Sequence, residues 1–294
     1  MSTTLIFIHG RRQEDHTPEE LEREWRAGLA AGLVRADMSS ADSIPVVFPY
    51  YAKLLARITD ELTQSNADID LEALPADPAE PGPLHPYLGA DIGLAERELI
   101  RSMVAAKQGD LEGVGLAGIL SWGVARQWLL WLAQHTPADQ AYIRAFLRDV
   151  AVYLRRARVQ VLELVREEIQ TVTDGEVILV THSLGTVVAR DLLDDESLRE
   201  RTRLWVTAGS PLGLEAVRSN LLPGGGTANP GVPWLSTYDV NDIVALGHPL
   251  VHTWGPPLND VEVDNGSAPH SIARYLAHPE VAEPIGQELG LAQP

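Results

Sequence analysis

A serine lies where a buried strand meets a helix, within residues 176–193. Residues 177–180 are apolar on both faces, which is typical of a buried parallel strand, and residues 185–193 have helical spacing. Between them stands the turn Thr181-His182-Ser183-Leu184-Gly185. A serine in such a turn projects beyond the sheet, and the N-terminus of the following helix favours negative charge developing near it. The pattern predicts that Ser183 is a nucleophile.

A serine nucleophile needs an imidazole to take its proton and a carboxylate to orient that imidazole. Two acids, Asp239 and Asp242, lie at or just past the end of a predicted strand at 234–239. His270 follows a later predicted strand and precedes a helix. The remaining histidines near this machinery are less suited to the role of base: His182, His248, His252 and His278.

A metal site is a weaker interpretation of the same region. His248 and His252 have the i, i+4 spacing of a helical metal pair. Pro249 lies between them and no third ligand is evident in the sequence, so we expect no metal. His182 alternates away from Ser183 along its strand and is expected to be a core histidine, whereas His278 is expected to cap a helix or pack.

The composition bounds the class of protein. The chain has 294 residues, 45% of them hydrophobic, and a formal net charge of −18. Such acidity disfavours binding to nucleic acids and anionic lipids, so we expect no nucleic-acid partner. Cysteine is absent, which excludes disulfides and thiolate metal sites. Residues 1–10 have no basic n-region and no cleavage site, so no leader peptide is expected. A cytoplasmic location is expected, and the oligomeric state stays open.

Strands alternate with helices along the chain, which predicts an α/β fold with a mostly parallel, doubly wound sheet. Residues 1–50 and 141–294 are predicted to form the core, with residues 51–140 inserted as a helical cap or lid. The strands are predicted at 5–8, 44–50, 177–180, 203–208, 234–239 and 261–264, and the last two helices at 271–277 and 282–289.

The insertion is the segment from which we expect substrate preference to arise. Its stretch 115–133 has one charge, Arg126, but several glycines, so core or lid packing is favoured over a membrane span. Three tryptophans there are candidates for an acyl pocket, although packing is the more common use of such spacing: Trp122, Trp128 and Trp131.

Five segments together resemble the lipase/esterase branch of the α/β-hydrolase superfamily: IFIHG, THSLG, TAGSPLGL, DVNDIVA and His270-Ser271. The resemblance implies the α/β-hydrolase fold, with Ser183 in the nucleophile turn, Asp242 as the acid and His270 as the base. Asp239 then becomes a turn or capping carboxylate. The usual turn is G-x-S-x-G, and Thr181 replaces its first glycine.

The resemblance also assigns the donors that stabilise an oxyanion. These are the backbone N–H groups of Arg11 and Leu184, with His9 and Gly10 supporting the loop. The Arg11 and Arg12 side chains are expected to be solvated, although an anionic substrate group is an alternative partner.

The activity implied is hydrolysis of a carboxylic ester, from a small molecule or a lipid, without a metal or organic cofactor. Acyl transfer or thioester cleavage with the same three residues stays open. So does a non-catalytic binding or effector role on the same scaffold.

Overall fold

The computed structural model describes residues 3–64, 148–172, 175–222, 228–245 and 247–292. Six parallel strands form one sheet in the order β2-β1-β3-β4-β5-β6 within these residues. The strands are β1 (Thr3–Ile8), β2 (Val46–Val47), β3 (Glu176–His182), β4 (Thr202–Ala208), β5 (Trp234–Tyr238) and β6 (Leu258–Glu262). The predicted α/β class with a parallel sheet is therefore confirmed.

The described helices are α1 (Pro18–Arg35), α2 (Ala52–Gln64), α3 (Arg158–Ile169), α4 (Leu184–Leu192), α5 (Glu196–Arg201), α6 (Glu215–Arg218), α7 (Val251–Trp254), α8 (Ile272–Leu276) and α9 (Pro279–Glu288). A π-helical turn at Tyr153–Ala157 precedes α3, and a 3₁₀ turn at Pro211–Gly213 precedes α6. Helix α1 begins at a capping box, in which Thr17 and Glu20 each accept the other's backbone N–H.

Alternate residues of the buried strands face two separate apolar cores. Ile6 and Leu179 lie in the core that includes residues of α2, α3 and α4. Leu5 and Ile178 lie in the opposite core, which includes residues of α1, α8 and α9. The strands read as unbroken apolar runs because helices cover both faces of the sheet.

The second strand is shorter than the predicted 44–50, since only Val46 and Val47 pair with β1. Pro45 and Pro49 flank the pair, and a proline has no N–H to contribute to a ladder. Pro45 still accepts a hydrogen bond through its carbonyl, from Leu5 N at 3.0 Å.

Helix α2 falls at the start of the predicted insertion and packs into the main core through Leu55 and Ile58. The rest of that insertion lies outside the described residues. Among those that are described, no helix is both long enough and apolar enough to cross a membrane. The apolar stretch 115–133 and its three tryptophans (Trp122, Trp128 and Trp131) are outside the described ranges.

Candidate active site

Ser183 stands at the tip of a sharp turn between β3 and α4. Its backbone has φ 54° and ψ −128°, which L-residues rarely adopt. Two hydrogen bonds hold this conformation: Ser183 N donates to Ala208 O at 3.1 Å, and Thr186 N donates to Ser183 O at 3.0 Å. The side chain is buried, and its Oγ has no hydrogen-bond partner among the described residues.

Small residues surround the serine because backbone passes close on two sides. A Cβ on Gly185 would lie 2.2 Å from Ile8 O, so only glycine lets α4 cross β1 at this distance. A Cβ on Gly10 would lie 2.8 Å from Ser183 Cβ. The loop after β1 therefore touches the serine directly.

Thr181 occupies the position where the usual turn has a glycine, and its hydroxyl is directed at β4. Thr181 Oγ1 donates to Val206 O at 2.7 Å and accepts from Trp205 Nε1 at 3.1 Å. Both partners are buried, so the threonine satisfies a tryptophan N–H that would otherwise lie unpaired in the core.

The loop that touches Ser183 is fixed by His9. Tyr51 N donates to His9 Nε2 at 3.2 Å, so the ring proton is on Nδ1, which donates to Gly10 O at 2.6 Å. The ring is fully buried and stacks on Tyr51 with centroids 4.1 Å apart. Burial lowers the pKa of His9 from 6.5 to about 4, which keeps the ring neutral.

The hydrogen bond from His9 sets the direction of one backbone donor. It holds the carbonyl of Gly10, and the N–H of Arg11 lies on the opposite side of the same planar peptide. The N–H of Leu184 begins helix α4 and has no acceptor within its own helix. These two groups are the donors that the sequence predicts for an oxyanion.

Asp242 and His270 form a hydrogen-bonded pair, with His270 Nδ1 donating to Asp242 Oδ2 at 2.7 Å. Asp242 lies in the loop after β5 and is buried, whereas the His270 side chain, after β6, is 19% exposed. The other carboxylate oxygen accepts Val244 N at 2.9 Å. Burial alone would raise the pKa of Asp242, but His270 and the donated hydrogen bonds outweigh it and hold that pKa below its ordinary value.

Asp239 makes different contacts from Asp242. Its two carboxylate oxygens accept Asn241 N and Asn265 N, each at 2.7 Å. It thus links the loop after β5 to the loop after β6. Its own carbonyl accepts Asp242 N at 2.9 Å, which closes the turn that presents Asp242.

Gly209 lies between the Ser183 turn and the Asp242–His270 pair. It follows Ala208, whose carbonyl accepts the Ser183 N–H, and it has φ +55°. A Cβ at Gly209 would lie 2.6 Å from Asp242 Oδ2 and 3.0 Å from His270 Nδ1. The carboxyl ends of β3, β4, β5 and β6 thus bring Ser183, Asp242 and His270 to one edge of the sheet.

Two hydroxyls brace the turn, and sequence reasoning did not single them out as site residues. Thr186 Oγ1 donates to Ser183 O at 2.7 Å, so it receives the proton of Ser210 Oγ, 2.8 Å away. Ser210 Oγ in turn accepts Leu212 N at 3.2 Å. Thr186 is the third residue of α4 and bonds back to a carbonyl three residues earlier, a local contact that helical threonines often make and that gives no specific signal in the sequence.

His182 is a buried core histidine, as the strand alternation suggests, but it also contacts the candidate base. Its Nε2 donates to the backbone carbonyl of His270 at 3.1 Å, and the two rings are 4.5 Å apart. Burial first, and His270 second, lower the pKa of His182 well below its ordinary value. The neutral His182 ring therefore helps to fix the backbone of His270 through this hydrogen bond.

The remaining histidines do not join this pair. His252 is exposed on α7, and His278 lies 3.1 Å from Asn265 Oδ1 at the N-terminus of α9. His248 is buried and its Nδ1 donates to Ala245 O at 2.9 Å. Within the described part of the chain, no three His, Asp or Glu side chains group as a metal site would require.

The expectation that the Arg11 side chain is solvated is wrong. Arg11 is buried and its Nε donates to Asp149, on the helical segment that precedes the π-helical turn. This ion pair joins residues 138 positions apart, so no local pattern reveals it. Arg12 is exposed, as expected, and has φ 54°.

Compared with known protein families and with curated protein sequences, the chain matches none.

Proposed function

We propose that the protein is a serine hydrolase of the α/β-hydrolase fold that cleaves carboxylic esters through an acyl-enzyme on Ser183. The observation that carries the proposal is the strained Ser183 turn at the same sheet edge as the hydrogen-bonded Asp242–His270 pair. Strained serine backbone is uncommon, and structure retains it mainly at functional sites. The Ser183 Oγ has no hydrogen-bond partner among the described residues, which leaves its proton available to a base.

In the proposed reaction His270 takes the Ser183 proton on Nε2 as Oγ attacks the ester carbonyl carbon. Asp242 keeps the Nδ1 proton of His270 in place and stabilises the imidazolium that forms. The Arg11 and Leu184 N–H groups donate to the carbonyl oxygen as it becomes negative. His270 then gives its proton to the leaving alcohol, which leaves an acyl group on Ser183.

The second half runs in the same site. Water gives a proton to His270 and attacks the acyl carbon, the carboxylic acid departs, and the proton returns to Ser183. No redox partner or metal takes part in this sequence. The loop at Gly10 lies against the Ser183 side chain, which carries the acyl group in this reaction.

A fluorophosphonate probe tests the nucleophile. We expect labelling of the wild type on Ser183 and none of Ser183→Ala, with hydrolysis of nitrophenyl esters lost in parallel. Ser236→Ala is the matched control, because Ser236 is also buried and its Oγ also lacks a hydrogen-bond partner among the described residues. Persistent labelling of Ser183→Ala, or equal loss in Ser236→Ala, would contradict the assignment.

A further inference from the structure

The hydroxyl of Tyr275 lies between the two acidic residues of the loop after β5. Tyr275 is in helix α8 and is buried. Asp239 N donates to its oxygen at 3.0 Å, and the hydroxyl lies 2.8 Å from Asp242 Oδ2. The same Asp242 oxygen accepts His270 Nδ1 at 2.7 Å.

These contacts fix where the tyrosine proton points. A phenol has one proton to donate, and a backbone N–H can only donate. The hydroxyl therefore accepts from Asp239 and donates to Asp242, so Asp242 Oδ2 receives two donors while Oδ1 receives Val244 N. Burial first, and Asp242 second, raise the pKa of Tyr275, which keeps it a donor throughout the range in which proteins are folded.

We propose that Tyr275 is a positioning residue of the acid–base pair, which acts by holding Asp242 ionised and turned toward His270. This inference rests on the proposed function for its kinetic consequence, but its structural content stands on the hydrogen bonds alone. Without that hydroxyl, Asp242 Oδ2 keeps only His270 Nδ1 as a donor, so the carboxylate is a stronger base and its orientation depends on Val244 N and His270 alone. The Tyr275 hydroxyl lowers that basicity and adds a contact that orients Oδ2.

Four other titratable groups lie near the Asp242 carboxylate or its partner His270. His270 faces Asp242 from the loop after β6, and His182 lies beyond His270 on β3. Asp239 and His248 are the other ionisable groups near it, from the loop after β5. Removing the Tyr275 hydroxyl leaves the side-chain contacts of these groups in place and takes away the acceptor of the Asp239 N–H. The shift that follows therefore reports the hydroxyl and its two hydrogen bonds.

The test is Tyr275→Phe, which keeps the buried ring. We expect the acid limb of the kcat/KM profile to move up by about one pH unit, because a hydrogen bond to a charged group is worth about that much and its loss lets the pair take a proton more readily. The limb belongs to the coupled His270–Asp242 pair. Tyr153→Phe is the control, since Tyr153 is also fully buried and donates to a buried carboxylate, Asp191 Oδ2 at 2.9 Å, away from the pair.

A readout that does not need turnover separates the two proposals. The Nδ1 proton of His270 gives a far-downfield NMR signal when it is hydrogen-bonded to Asp242, and its pH titration can be followed in any folded protein. We expect its midpoint to move upward in Tyr275→Phe and to stay in place in Tyr153→Phe. If the wild type fails to label with fluorophosphonate but this signal shifts as stated, the hydrolase proposal fails and the positioning role stands.

A second variant covers a failure of Tyr275→Phe to fold. Fluorotyrosine placed at position 275 has a more acidic hydroxyl, so it donates more strongly and should move both readouts to lower pH. An unmoved midpoint in either folded variant, or an equal shift in Tyr153→Phe, would overturn the positioning role.

Discussion

Replacing Gly209 by alanine tests the geometry of the whole site with one methyl group. The residue has φ +55°, a conformation that costs an alanine about 1 kcal/mol. The new Cβ would also lie 2.6 Å from Asp242 Oδ2, whereas ordinary contact begins at 3.4 Å, so the carboxylate must retreat by about 0.8 Å. His270 Nδ1, 3.0 Å from the same point, must move with it.

A displacement of this size is large for a reacting group. Misplacement by about 1 Å lowers turnover roughly 100-fold, and we expect Gly209→Ala to lower kcat/KM toward a nitrophenyl ester by about that factor. We expect the free energy of unfolding to fall by about 2–3 kcal/mol, because disturbing the hydrogen bonds of the buried Asp242 carboxylate adds to the backbone strain. Urea denaturation followed by circular dichroism measures the second quantity.

Gly290→Ala is the control for backbone strain. Gly290 has φ +70°, but a Cβ there would meet nothing within 4 Å. Its variant should lose about 1 kcal/mol and keep full activity. The reasoning is refuted if Gly209→Ala loses no more stability than Gly290→Ala and retains kcat/KM within about threefold of the wild type.

Two further predictions concern charged groups. Asp242→Asn should lower kcat by about 10⁴-fold. Asp239→Asn should mainly lower the free energy of unfolding, by about 1–2 kcal/mol, because Asp239 accepts two backbone N–H groups. Ester kinetics and urea titrations on both variants check this, and a larger kinetic loss in Asp239→Asn would reverse the assignment of the acid. Stability should fall with acidity below about pH 6.5, because burial lowers the pKa of His9 and of His248 from 6.5 to about 4. The unfolded chain then binds protons that the folded chain refuses, at about 1.4 kcal/mol per pH unit for each histidine until pH 4. Urea titrations between pH 7 and 4.5 measure the slope, which should become shallower in His248→Asn; an unchanged slope would show that His248 takes its proton in the folded state.

The parts of this fold that the sequence predicts are those that depend on local pattern. Residues 177–180 read as a buried strand because both of their faces are apolar, and β3 occupies Glu176–His182. Helix α4 is within one residue of its predicted range at each end. The predicted strand at 44–50 is longer than the observed β2, because the apolar run contains two prolines that cannot donate an N–H to a neighbouring strand.

The parts that sequence reasoning missed depend on partners distant in the chain. Tyr275 looks like one more core aromatic of a short helix, and the Asp242 carboxylate that its hydroxyl contacts is 33 residues earlier. Arg11 looks solvated because its partner, Asp149, follows the insertion. The choice between Asp239 and Asp242 stays a proposal, and the contacts of the two carboxylates differ in the way it requires.

The pairing of β1 with β3 has a consequence for how the chain folds. β1 aligns Thr3 with Glu176, and its other neighbour offers only the two residues of β2. During synthesis β1 therefore stays largely unpaired until β3 has left the ribosome, and such distant pairings fold slowly. Gly10 and Ser183 meet only after that event. A nascent chain shorter than this should expose an apolar strand edge and depend on chaperones, while carrying no reactive serine.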